Sequence, residues 1–282
     1  MEKSKNILIT GVSSGIGHEL TSVFLKKGYT VYGSVRKEQD AERLTKEFGS
    51  SFKALLFDVT DHEAIDAAAE IVSKEAGDLG GLINNAGIAL GGPLLYLPVE
   101  ELRQQFEVNV IGLMKVVQAF APLLGARDNH GAQPGRIIQI SSVSGVIGMP
   151  FIGPYVGSKH AVEGISKVLR REMMKFGIDV IVVGPGAVKT PIWNKGESQV
   201  ERWIETPYKT SLTIFQKFVR KLVDTAITSE ELSEIIVKAY ESKKPRARYA
   251  PVARKLSSWI VPRLLPTRTL DRMIAKNLKL KE

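Results

Sequence analysis

Between an apolar run, "NILIT" at 6–10, and a stretch of helical periodicity beginning at residue 16 lies "TGVSSGIG", residues 10–17. No other feature limits the fold of this chain as much. Gly11, Gly15 and Gly17 stand in a G-x-x-x-G-x-G spacing, where side chains would block both the turn and a ligand's approach to the backbone N–H groups. The helix that follows adds the positive end of its dipole. With Ser13, Ser14 and Ile16 between and beside the glycines, the turn is an anion cradle of a size suited to pyrophosphate. Such a turn between a first strand and a first helix predicts an open parallel sheet with a dinucleotide laid across its edge.

The rest of the chain carries the matching rhythm. "TVYGSV" (30–35), "KALLFDV" (53–59), "GLINNA" (81–86), "RIIQIS" (136–141) and "DVIVVGP" (179–185) are near-continuous apolar runs. That pattern belongs to strands buried on both faces. Between the runs lie helical stretches such as 16–27, 61–76, 100–124 and 157–175, the crossovers that parallel strands need. With a helix at 230–242 and a short last strand in "RARYAP" (246–251), the fold class is α/β: a Rossmann-like doubly wound parallel sheet with helices on both faces, in a single domain. We expect residues 1–250 to form the dinucleotide-binding and catalytic unit, with a substrate lid at about 187–228, and 251–282 to form a basic amphipathic extension. "LLGARDNHGAQPGR" (123–136) is a polar Gly/Pro-containing loop.

Composition narrows the chemistry. The chain has no cysteine, which excludes thiolate zinc sites, iron–sulfur clusters and disulfides. The four histidines are scattered, and no metal is expected. The N-terminal "MEKSKNILITG" is too short in apolar length for a signal peptide or a membrane span, and Pro262 and Pro266 interrupt the apolar runs near the C-terminus. The net charge of +9 is concentrated: residues 243–282 hold 12 Lys/Arg against 2 Asp/Glu, and the other 242 residues are close to neutral.

Cofactor choice is read at the end of the second strand. A carboxylate there would hold a ribose 2′-hydroxyl; this chain has Val35, Arg36 and Lys37. A guanidinium matches a 2′-phosphate, so Arg36 points to NADP(H). Asp58, followed by Val59, is a candidate for the adenine amino group or for the cap of the next helix.

"GPYVGSKHAVEG" (153–164) places Tyr155 and Lys159 four apart, one helical turn along a shared face. Tyr240 and Lys244 repeat that spacing and provide an internal decoy. Four motifs in order separate the two: "TGVSSGIG" (10–17), "NNAG" (84–87), "SS" (141–142) and "YVGSK" (155–159). Together they resemble the short-chain dehydrogenase/reductase family over nearly the whole chain. In that family a catalytic serine precedes the tyrosine by a dozen or so residues. Ser142 stands thirteen before Tyr155, whereas Ile227 stands at that distance before Tyr240.

The resemblance implies an oxidoreductase in which Tyr155 is the general acid/base and Lys159 favours its phenolate and holds the nicotinamide ribose. It implies that Ser142 stabilises the substrate oxygen and that Asn109 anchors a water in a proton relay. It further implies a cofactor cradle at Asn85, Ala86 and Gly87 and a Pro185–Gly186 turn, with Val188 and Thr190 meeting the cofactor's carboxamide and phosphates. Alternatively, Asn109 is structural.

Leu94, Leu95, Val146, Met149, Phe151 and Trp193 are mostly apolar candidates for the substrate wall, favouring a lipophilic alcohol or carbonyl of steroid, retinoid or long-chain type. Homodimers or homotetramers are implied by the resemblance, in a cytoplasmic setting. The tail interleaves Leu256, Trp259, Ile260 and Leu264 with basic residues, so 252–282 fits either peripheral membrane contact or docking on the enzyme itself. A competing reading is an NADP-sensing regulator whose basic tail contacts nucleic acid or a partner; no DNA-reading motif is present, so nucleic acid is not expected.

Overall fold

In a computed structural model, the structure describes residues 3–128, 130–190, 201–253 and 255–281. Seven parallel strands form one sheet in the order β3-β2-β1-β4-β5-β6-β7. They are β1 Asn6–Ile9, β2 Thr30–Val35, β3 Phe52–Leu56, β4 Gly81–Asn84, β5 Arg136–Ile140, β6 Asp179–Val183 and β7 Arg248–Tyr249. The strand order reverses at β1, which pairs with β2 on one side and β4 on the other. In an open α/β sheet the crevice at that reversal is the ligand site.

Two cores sandwich the sheet. Alternate strand residues feed opposite layers: Leu8, Leu82, Ile137 and Val180 pack beneath helices α3 (His62–Ala76), α5 (Leu113–Phe120) and α6 (Gly153–Glu172). Ile7, Ile9, Ile83, Ile138 and Ile181 pack against α1 (Gly15–Lys26) and α8 (Ser229–Glu241). The two-residue period of a strand feeds both layers because every inward position is apolar. Helix starts are set locally. Asp61 accepts from Ala64 N to cap α3, and Thr228 with Glu231 closes a full capping box on α8.

Several strands stop one to three residues short of their apolar runs, at residues 10, 57–59, 85–86 and 184–185, because the chain turns there into the loops of the site. The stretch expected as one helix over 100–124 is compound: α4 (Val99–Phe106), a π-helical turn at Glu107–Gly112, α5 and a 3-10 turn at Ala121–Leu124. By length and composition this compound helix could cross a membrane, but 56% of its apolar window is buried inside the fold against neighbouring helices. α6 begins earlier than the expected residue 157, so Tyr155 lies in its first turn.

The lid region holds one sixteen-residue helix, α7 (Lys209–Asp224), rather than only short ones; residues 191–200, Trp193 among them, lie outside the described residues. The C-terminal segment docks on the enzyme. A π turn (Leu256–Ile260), α9 (Val261–Leu264) and α10 (Thr267–Asn277) run across the surface. Leu278 is buried in a third apolar cluster with Phe151, Trp203, Leu212 and Phe215, and Ser211 of α7 donates to the Lys279 carbonyl at 3.1 Å.

Candidate active site

The loops after β1, β4, β5 and β6 all leave from the carboxyl edge of the sheet, and side-chain and backbone hydrogen bonds lock them together. Thr10 Oγ1 accepts from the Asn85 and Ala86 N–H groups at 3.0 Å, while Asn85 Nδ2 donates to the Thr10 and Gly11 carbonyls. The glycine turn is thereby fastened to the "NNAG" turn. Gly11 has φ +71°, and a Cβ there would lie 2.9 Å from Ala86 Cα. A Cβ on Gly17 would overlap the Gly11 carbonyl and the Asn85 amide. Both glycines are therefore obligatory, and the space above the α1 N-terminus is left to backbone N–H groups, as an anion requires.

Arg36 lies just past β2 with its side chain largely exposed, 3.6 Å from Asp58. An exposed pair of that length is weak, so the guanidinium is available to a phosphate. Asp58 does not cap α3, which Asp61 does; its Oδ1 accepts instead from Thr60 N and Thr60 Oγ1. A second arginine, Arg43 of α2 (Glu38–Phe48), donates to the Ser13 carbonyl at 2.8 Å and braces the turn from outside. Pattern reading missed it because only the fold brings α2 beside the loop. The Pro185–Gly186 turn is pinned by Val143 N donating to Pro185 O and Gly186 N donating to Pro251 O, each at 2.9 Å. Val188 bridges to Ile227, and Thr190 is half-buried, the last described position before residues 191–200. These residues fit a dinucleotide on geometry alone.

Ser142, Tyr155 and Lys159 come together at the end of β5 and the start of α6. Ser142 is buried, and its hydroxyl accepts from Ser144 N at 3.1 Å. Enclosure pushes the Tyr155 phenol above its ordinary value of 10, and the Ser142 hydrogen bond opposes that rise. Lys159 is buried with Nζ on the Ile140 carbonyl at 2.8 Å and 5.7 Å from the centre of the Tyr155 ring. Burial lowers its ammonium to about 8, and Glu163 acts in the opposite direction. Tyr155 is thus a neutral phenol at neutral pH, with the buried Lys159 beside it.

Asn109 sits in the π turn with its side chain fully used. Nδ2 donates to Ile88 O and Ser158 Oγ, and Oδ1 accepts from Ile88 N. That amide fastens the loop after β4 to α6. The π turn that aims the side chain inward is of the kind found at functional sites.

Tyr240 is a core residue, edge-on to Phe24 and Tyr29, with its phenol pushed far up by burial; Lys244 is exposed. No catalytic surroundings meet it.

The predicted substrate wall divides. Leu94 and Leu95 are exposed at 64% and 77%, and Val146 is also exposed. Phe151 is buried, with rings 5.7 Å from Tyr208 and 5.6 Å from Phe215, and Met149 packs on the same cluster. Phe151 has φ +68°, a strained conformation for a bulky residue, and its carbonyl accepts from Gly92 N at 2.8 Å. Trp203 and Tyr208 pack in the same cluster. A Cβ on Gly92 would press on the Trp203 indole at 2.7 Å, a contact between distant segments that no local pattern reveals.

Comparison with known proteins agrees with this geometry. The family model described as short chain dehydrogenase matches residues 5–201. An NADPH-dependent 3-dehydrocapnine reductase of Ornithobacterium rhinotracheale is 42% identical over 274 residues, covering 96% of each chain. A 3-ketodihydrosphingosine reductase of Bacteroides thetaiotaomicron is 33% identical, covering 90% of this chain and 92% of that one. The structure of ElxO with NADP bound superposes with a TM-score of 0.72 at 25% identity, covering 91% of this chain and all of the other.

Proposed function

The chain belongs to the short-chain dehydrogenase/reductase family and is an NADP(H)-dependent oxidoreductase acting on CH–OH/C=O groups; on that premise we propose that it reduces a lipophilic carbonyl compound, with Tyr155 as the proton donor. The observation that carries this reading is the meeting of Ser142, Tyr155 and Lys159 where β5 ends and α6 begins, with Lys159 Nζ held on the Ile140 carbonyl at 2.8 Å and 5.7 Å from the centre of the Tyr155 ring.

The glycine turn, Asn85 and the Pro185–Gly186 turn would hold the dinucleotide, and Arg36 would receive its 2′-phosphate. When bound, the nicotinamide supplies a hydride to the carbonyl carbon. Ser142 Oγ–H and Tyr155 Oη–H converge on the carbonyl oxygen, where negative charge develops. Tyr155 delivers its proton to that oxygen, and the alcohol forms as the phenolate is left behind. The Lys159 ammonium stabilises the phenolate until solvent restores the proton, a role that the charge can fill only when the amine is protonated.

The substrate class rests on the aromatic and aliphatic wall of Phe151, Trp203, Tyr208 and Met149, which offers a polar carbohydrate few partners. Two relatives named as reductases of a 3-dehydro and a 3-keto compound support the reductive direction. We assign residues 1–250 to the catalytic unit and 251–282 to an extension that docks over the lid. Self-association through α4–α5 and α6 is the quaternary reading. NADPH consumption against long-chain 3-keto compounds, steroid and retinal-type carbonyls, and small sugars is the test. Higher kcat/KM for a lipophilic carbonyl is the expected result; preference for a sugar overturns the substrate class.

A further inference from the structure

Beyond Tyr155 and Lys159, α6 carries a third polar residue at the same spacing, Glu163, one more turn along the same face. Its side chain is 6% exposed. A carboxylate this deep needs a partner, and it has one from the far edge of the sheet. Arg248 of β7 meets it with a fork: Nε lies 3.1 Å from both carboxylate oxygens and Nη2 lies 3.0 Å from Oε1. The same Nη2 donates to the Ser142 carbonyl at 3.4 Å. The Trp259 ring, from the C-terminal segment, lies 4.2 Å from the guanidinium carbon and is itself contacted by Arg263.

Two glycines make room for the pair. A Cβ at Gly184 would overlap the Arg248 guanidinium, and one at Gly145 would press on Glu163 Cγ at 2.9 Å. The arrangement is built into the site rather than resting on its surface.

We propose that Glu163, held by Arg248 and covered by Trp259, is a positioning residue that keeps Lys159 charged and, through Arg248, fixes the backbone of Ser142. Among the described residues, the charged or titratable groups facing Lys159 are Tyr155 and Glu163 on its own helix and Arg248 behind Glu163. β5 and β6 hold Arg136 and Asp179 at their opposite, amino ends. Glu163 is therefore the negative group that offsets the cost of enclosing an ammonium, and it acts in that direction on Lys159. Arg248 keeps the carboxylate ionised and localised, since an unpaired buried carboxylate would take up a proton instead.

The inference rests on Lys159 serving Tyr155 as proposed above, so the test reads Lys159 without turnover. Protein labelled with 13C at lysine Cε is titrated by NMR, with Lys159→Arg identifying the resonance. Wild type is expected to show a midpoint near 8. Glu163→Gln removes the charge and keeps the shape, and is expected to lower the midpoint by roughly one pH unit, the effect of losing one close opposite charge. Replacing both members of a buried pair is often tolerated where removing one is not. If Glu163→Gln does not fold, Glu163→Gln with Arg248→Met therefore takes its place, with a smaller fall expected because losing the more distant Arg248 cation offsets part of the loss of Glu163. An unmoved midpoint overturns the proposal. A midpoint that falls, with the alkaline limb of the turnover profile falling by the same amount, supports it. A midpoint that falls while that limb stays fixed still supports the pairing, and removes Lys159 from the proposed chemistry instead.

Discussion

Lys159 shows how a single residue links stability to chemistry. Its ammonium is enclosed and lowered from 10.5 to about 8, so the folded state releases the proton more readily than the unfolded chain does. Below pH 8 both states hold the proton, and the full cost of enclosing the charge falls on the folded state. Between 8 and 10.5 the unfolded chain binds more protons than the folded one, so this group's contribution to stability improves as pH rises through that window. Lys159→Met is thus expected to stabilise the protein by about 3 kcal/mol below pH 8, because each pH unit separating the folded and unfolded midpoints corresponds to about 1.4 kcal/mol. That gain should shrink toward pH 10.5. Thermal melts of both proteins across that range check it, and a pH-independent difference contradicts it. The sequence pointed to this lysine by its spacing from Tyr155. It did not indicate Glu163, because YxxxKxxxE is also an ordinary helix surface pattern until Arg248 arrives from 85 residues away.

At the scale of elements, α7 and the C-terminal segment pack together. Leu278 follows α10 and is buried against Phe151, Trp203 and Phe215, so it ties the end of the chain to the wall beside the site. Leu278→Ala removes the buried methyl groups that seat the segment, a loss of about 2–5 kcal/mol in well-packed cores. Its expected signature is a raised KM for the carbonyl substrate with NADPH affinity unchanged, since the dinucleotide cradle lies on the other loops. Equal KM values for variant and wild type contradict the coupling. Self-docking of the tail was one of two outcomes open from sequence. Amphipathic spacing says that a helix has an apolar face, not what covers it. The same blindness applies to the π turn at Asn109. Its residues read as continuous helix, and the extra residue in the turn is set by the pull of Ile88 and Ser158 on the amide.

For the molecule as a whole, the architecture was legible because parallel strands buried on both faces leave a plain apolar signature, and each strand position was marked within a few residues. The glycine turn marks the switch between β1 and β4 in the sequence itself. The pair around Gly92 and Trp203, the brace from Arg43 and the Arg248 fork were not legible. Each joins segments whose proximity is created only by the order of the sheet. The excess basic charge of residues 243–282 likewise resolves in part into specific work, with Arg248 on Glu163 and Arg263 on Trp259. The central claim is that the site at the carboxyl edge is a proton-donating reductase site built on Tyr155. Its most direct test is NADPH binding and NADPH-dependent reduction of a lipophilic carbonyl by wild type and Tyr155→Phe. Tyr155→Phe is expected to bind NADPH as tightly as wild type with turnover reduced by at least about 10²-fold, the usual contribution of a positioned proton donor; turnover by Tyr155→Phe at the wild-type rate removes Tyr155 from the chemistry.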